Sequence, residues 1–576
     1  MCSSLAFIRR KMRCLLVAAM LILTTTSLTI PVLAAGADSD YIKFLENLDA
    51  DRAWNIVNDL AGDRFEGRRT GTPGADLASL YVANYFSSIG LKPAGPDGTY
   101  RASFKAPLCQ LKRLPTLALV DANGNTLQTL VYKKDFYMRQ CSGGGNYSGD
   151  VVFAGYGITA KELSYDDYGS TSVSGKFAIA IAGTPPSDKF SRTDYGTWYS
   201  KADNAQSRGA VGLMIVDSPA SPTENYVELW SGFSWNQRGF TVLRGSIEMA
   251  DLLLKDQGVT LSSVQQEINQ DLKPQSFALS KRLRISAEAV STETATGYNV
   301  LGYIPGSDPA ASKRGVVIGA HYDHGGIDVD GRILRGANDD ASGTAVMMEI
   351  ARVFAAGVRP KWSVLFAAWA GEEEGLVGSK AYVNHPYFPL GGTIAYLNLD
   401  MVGAGQRLLC EISQAHADLF ATMTESREEL NISLNVEAPS GGSDHVSFDD
   451  RDVPNLMLIY WPDNVYHTPR DIPDHVSKED LIETARLTAL MALKLSQATI
   501  TAMTLTTEVT TTASTFQTAT LHTTTLQTTT IPQTRTSTTT SPVSPPEGLP
   551  TQIIGIIVVL ILVGAVVVVY FLRRNE

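Results

Sequence analysis

From about residue 300 onward, short uncharged runs alternate with helical segments, and most of these runs lead into a histidine or an acid. Residues 316–320, 363–368, 394–399 and 455–460 are brief and apolar, as strands buried on both faces of a central sheet are. Residues 344–354 and 481–495 carry their apolar side chains at helical spacing. A chain alternating in this way folds as an α/β protein, and ligands of open α/β sheets bind beyond the carboxyl ends of the strands.

Five chemical stations sit at those places: His321-Tyr322-Asp323-His324, Asn338-Asp339-Asp340, Glu372-Glu373, Asn398-Leu399-Asp400 and Tyr466-His467. His321 follows residues 316–320 directly. At strand spacing Asp323 shares its face, where it would hold the second ring nitrogen and fix the tautomer of a metal ligand. Asp339 lies in Gly336-Ala337-Asn338-Asp339-Asp340-Ala341-Ser342-Gly343, a tight turn leading into a helix. A helix cap at Asp340 or Ser342 explains one polar residue of that run but not all of them. Asp339 suits a carboxylate bridging two cations.

Glu372-Glu373-Glu374 would ordinarily be a solvated helix start, since acids favour the positive end of the helix dipole. Its position after a strand and before Gly375 favours chemistry, with Glu373 as ligand and Glu372 as general base. Asp400 ends residues 394–399. His467 follows 455–460, and Tyr466 beside it is placed to donate to an oxyanion. His445, in Ser443-Asp444-His445, is an outer candidate; His385, His416, His475 and His522 lack comparable surroundings. An oxygen- and nitrogen-rich shell with one shared carboxylate is what two borderline-soft divalent cations need, which points to a two-metal hydrolase.

These stations, with Glu66-Gly67-Arg68 and Gly71-Thr72-Pro73-Gly74 upstream, resemble the cocatalytic-zinc aminopeptidase family that also contains glutamate carboxypeptidases. The resemblance implies a three-layer α/β/α sandwich with a mixed central sheet. Gly155-Tyr156-Gly157 and Gly209-Ala210-Val211-Gly212 resemble the protease-associated domain inserted in many members, a small α/β unit. By position, one zinc would be bound by His321 and Asp400, the other by Glu373 and His467, with Asp339 bridging. Glu372 would be the base, and Tyr466 would stabilise the oxyanion. Cobalt and manganese suit the same donors.

The activity implied is exopeptidase, foremost release of amino-terminal residues from peptides by a hydroxide held between the metals. A carboxypeptidase, a glutaminyl cyclase using one zinc, and a non-catalytic receptor resembling the transferrin receptor are the alternatives. No ligand position is lost, which weighs against the receptor. Oligomeric state is not written in these residues.

The chain ends add an address. Residues 1–35 combine Arg9, Arg10, Lys11 and Arg13 with an apolar stretch and small residues up to Ala35, the layout of a secretory signal. Residues 499–549 are dominated by threonine with Ser, Gln and Pro, a composition unable to bury a core and suited to a stalk. An uncharged apolar run spans 553–572, long enough to cross a bilayer, and Arg573 and Arg574 follow it. The expected organisation is a signal at 1–35, peptidase segments at 36–148 and 286–498, and an inserted module at 149–285. A stalk at 499–549, a membrane helix at 550–572 and a cytoplasmic tail at 573–576 follow, which places the catalytic part outside the cell.

The formal charge of -11 argues against nucleic acid as a partner and leaves peptides open. Cys109 and Cys141 are a candidate disulfide, and Cys410 is expected buried and free. Asn146 and Asn431 fit the glycosylation acceptor pattern.

Overall fold

The computed structural model describes residues 40–139, 142–190, 193–222 and 240–501. All of them fall in one unit, Met1–Val509; a second unit, Thr510–Glu576, lies outside the described residues. The expected signal at 1–35, the threonine-rich stretch from 502, the apolar run at 553–572, the tail and Cys141 are likewise outside them. Among the described residues, no helix is long and apolar enough to cross a membrane. Cys410 is buried and free.

The main sheet has nine strands among the described residues and is mixed. Its four middle strands, Ser363–Trp369, Gly315–His321, Thr393–Leu399 and Asn455–Tyr460, are mutually parallel and adjacent in that order. Leu408–Ile412 runs antiparallel to Asn455–Tyr460, and Ala289–Ile304 runs antiparallel to Ser363–Trp369.

Period-two alternation sends successive side chains to opposite faces. Val316, Ile318, Ala320, Val364, Phe366 and Ala368 enter one core with helices Ala50–Leu60, Gly343–Gly357 and Lys478–Leu495. Val317, Leu365, Ala367 and Trp369 enter another beneath Val377–Asn384 and His445–Asp449. Both faces are therefore covered, which is why these runs are apolar throughout rather than alternating. The predicted three-layer α/β/α class is the one observed.

Among the described residues, strands between 116 and 287 build a second, eight-stranded sheet with hydrophobic cores of its own. It begins upstream of the boundary expected near 149, because Thr116–Val120, Thr126–Leu130 and Phe136–Met138 pair into it. Those short strands lack the pattern that separates one sheet from another, and only their pairing assigns them. At the other end, Thr499–Ile500 pairs with Val358–Arg359, so regular structure reaches slightly into the predicted stalk.

Candidate metal centre

Parallel strands present all their carboxyl ends at one edge, and the five stations gather there. His321 is the last residue of its strand, Asp400 follows Leu399, and Glu372 and Glu373 follow Trp369 across the loop. His467 comes from the loop after Tyr460. Asp339 arrives from the turn Ala337–Ser342 at the head of helix Gly343–Gly357, whose Thr344 hydroxyl donates to the His321 carbonyl at 2.9 Å.

Asp339 stands between two donor groups. Its Oδ1 is 3.3 Å from His321 Nε2, and that nitrogen is 3.5 Å from Asp400 Oδ1. Its Oδ2 is 3.0 Å from His467 Nε2, which is 3.2 Å from Glu373 Oε1. Donors about 2.0–2.1 Å from a common tetrahedral zinc lie roughly 3.3 Å apart. The observed spacings fit that figure. The buried Asp339 Oδ2 and Glu373 Oε1 accept no hydrogen bond, although imidazole nitrogens stand beside them. These atoms are therefore arranged as ligands of a common cation.

The same carboxylates crowd negative charge into the site, and a proton on the His467 imidazole offsets it. Burial opposes the charged form of His467, yet Glu373 and Asp339 outweigh it and push the imidazole up to about 10. Burial raises the Glu372 carboxyl well above the usual range, with Glu373 and Asp400 adding and His321 opposing. Desolvation, then the carboxylates of Asp339 and Glu373, keep the Tyr466 phenol protonated. Tyr466 stacks on His467, with ring centroids 3.8 Å apart, and lines one cavity with His321, Glu372 and Asp400.

The turn carrying Asp339 is held from several distant segments. The Asp471 carboxylate accepts the backbone N–H groups of Asn338 and Asp339 at 2.7 and 3.0 Å. Asp340 Oδ1 accepts the N–H groups of Gly343 and Met401. Gly336 adopts φ +54°, and a Cβ there would lie 2.1 Å from the Asp339 carbonyl, so the turn requires glycine.

Arg68 is fully buried and donates to four carbonyls, of Tyr322, Leu60, Arg335 and Gly336, at 2.6–2.8 Å. One guanidinium thus ties the first station to the second. Arg68→Ala leaves those carbonyls unpaired in the interior and is expected to destabilise the fold by about 3–5 kcal/mol, read as a lowered denaturation midpoint.

One expectation needs adjusting. His321 Nδ1 stands 3.2 Å from the backbone carbonyl of Asp323, while the Asp323 carboxylate is farther, at 3.7 Å. That carboxylate instead accepts from the Thr70 hydroxyl at 3.1 Å and the Glu372 N–H at 3.3 Å, tying the first station to the loop of Glu372. The chain leaves the strand after His321, so strand spacing does not extend to Asp323.

His324 carries no role in the sequence reading. It is buried, with Nδ1 2.9 Å from Glu373 Oε1 and 3.6 Å from Asp339 Oδ2, and it belongs to the His467-side donor group. A second histidine in the same short station was the available signal. His445 stays outside both donor groups, 3.7 Å from Glu411.

The chain is similar to known peptidases. Residues 299–492 match peptidase family M28. Aminopeptidase YwaD of Bacillus subtilis is 27% identical over 358 residues, covering 59% of this chain and 68% of that protein. An aminopeptidase of Pseudomonas aeruginosa is 28% identical over 356 residues, covering 60% of this chain and 56% of its own length. In fold, the chain is similar to BSAP, a zinc aminopeptidase from Bacillus subtilis, with a TM-score of 0.56 over 78% of this chain and 95% of that one, at 21% identity. With ligand-type donors from five stations converging at the carboxyl edge of such a sheet, residues 299–492 match peptidase family M28, and the chain is a metallo-exopeptidase.

Proposed function

We propose that the chain is an aminopeptidase that holds two zinc ions and releases residues from the amino termini of peptides at the outer face of a membrane. The observation that carries the two-ion reading is Asp339, which offers one oxygen to each of two donor groups. His321 and Asp400 would complete one group; Glu373 and His467, with His324 beside them, would complete the other. Bound zinc supplies Lewis acidity, polarising the peptide carbonyl and acidifying water.

The protein's own residues do the rest. Glu372, its affinity for a proton raised by burial, takes one from the attacking water and returns it to the leaving amine. Tyr466 keeps its proton and donates to the carbonyl oxygen as that atom gains charge. Amino-terminal attack is supported by the similarity to aminopeptidases of Bacillus subtilis and Pseudomonas aeruginosa. The membrane address is supported by the apolar run at 553–572 and the two arginines after it.

One experiment tests these parts together. A peptide with a free amino terminus is expected to lose its first residue, and an acetylated copy is expected to survive. Chelation should abolish release and added zinc restore it, and in cells making the full chain the activity should sediment with membranes. Cleavage of the acetylated peptide from its carboxyl end would overturn the aminopeptidase reading. Undiminished activity after chelation would overturn the metal reading, and soluble activity would overturn the anchor.

A further inference from the structure

We propose that the cavity beside the metal centre selects peptides whose first residue is lysine or arginine. This rests on the aminopeptidase reading above.

The cavity is about 380 Å³ and is lined by both His321 and Glu372, so it opens onto the reacting bond. Its far wall is built by strand alternation. Leu408, Cys410 and Ile412 point into the main core, while Leu409 and Glu411 between them line the cavity. On the neighbouring strand Leu456, Leu458 and Tyr460 are core residues, and Met457 and Ile459 line the cavity. The register sets Leu409 opposite Ile459 and Glu411 opposite Met457. Beyond them, Glu437 stands opposite Glu411 across the parallel pair Leu408–Ile412 and Asn435–Glu437.

Two carboxylates thus face the same cavity from adjacent strands, next to an apolar wall. Two carboxylates lining one cavity concentrate negative charge there, which a cation entering the cavity would offset. The described residues supply little. Glu411 is only 8% exposed and accepts from the backbone N–H and hydroxyl of Ser440 at 2.8 and 2.6 Å, which are neutral donors. Burial lowers the pKa of His445, 3.7 Å from Glu411, which favours its neutral form. Arg407 reaches Glu437 only at 4.0 Å, with both side chains about half exposed.

A lysine or arginine side chain satisfies both halves of this surface. Its methylenes cover Leu409, Met457 and Ile459, and its charged end reaches the carboxylates. A neutral side chain of equal length leaves Glu411 desolvated without a counter-charge, and an acidic one adds repulsion.

The test is a panel of anilides of lysine, arginine, norleucine and glutamate, hydrolysed by the zinc-loaded protein. Lysine and arginine are expected to exceed norleucine in kcat/KM by roughly tenfold or more, mainly through KM, as befits a charge-assisted contact. Glu411→Gln should collapse the lysine-to-norleucine ratio toward one. Should that variant misfold for want of the Ser440 bonds, the exposed Glu437→Gln carries the test with a smaller fall in the same ratio. Norleucine cleaved as well as lysine, or a ratio untouched by the folded variants, would overturn the pocket assignment alone. Failure of every anilide would instead overturn the aminopeptidase reading beneath it.

Discussion

Glu372→Gln is expected to keep its zinc and lose roughly a hundredfold to ten-thousandfold in kcat, the usual contribution of a positioned general base. The amide is nearly isosteric with the acid, and Glu372 belongs to neither donor group, so metal should stay bound. What disappears is the proton carrier. Its carboxyl is raised by burial first, against His321 and with Glu373 and Asp400 adding, which suits a group that must accept a proton and then release it. Elemental analysis of the dialysed variant beside single-turnover rates checks both halves. Wild-type turnover would show the base to be elsewhere, and lost zinc would make Glu372 a ligand.

Asp339→Ala should act on the metal rather than the proton. One substitution removes a donor from both groups at once, and no other described residue belongs to both. Metal content after dialysis is expected to fall sharply, with turnover falling alongside it. In the wild type, zinc at a hundredfold excess over its dissociation constant should stabilise the fold by about 2.7 kcal/mol. That gain should vanish in the variant, read as a melting temperature that no longer rises with added zinc. A variant that retained two metals after dialysis would remove Asp339 from the centre.

Much of this site is legible along the chain because its signals are local. Apolar runs at 316–320 and 363–368 reveal strands covered on both faces, and a side chain just beyond such a run must emerge at the sheet edge. His321, Glu373 and Asp400 are readable for that reason. Asp339 is readable because a glycine-bounded turn with consecutive acids has no adequate explanation as a helix cap alone.

The parts that were not legible depend on segments far apart in sequence. Arg68 stands in a segment that carries the family resemblance but no stated role, and burial beside the carbonyls of Tyr322, Arg335 and Gly336 makes it the tie between two stations. Asp471 resembles a surface acid until it is found clasping the N–H groups of Asn338 and Asp339. His324 needed the turn after the strand to aim it at Glu373. The opposition of Glu411 and Glu437 exists only through strand register.

The residue pattern by itself determined the α/β class and which acids and histidines stand at the strand ends, since burial period and chain turns are written in neighbouring residues. Tertiary structure alone decided which oxygen of Asp339 serves which donor group, what holds its turn in place, and what kind of wall stands opposite. Those depend on strand order and register, which are set by packing between residues hundreds of positions apart and leave no mark at either one.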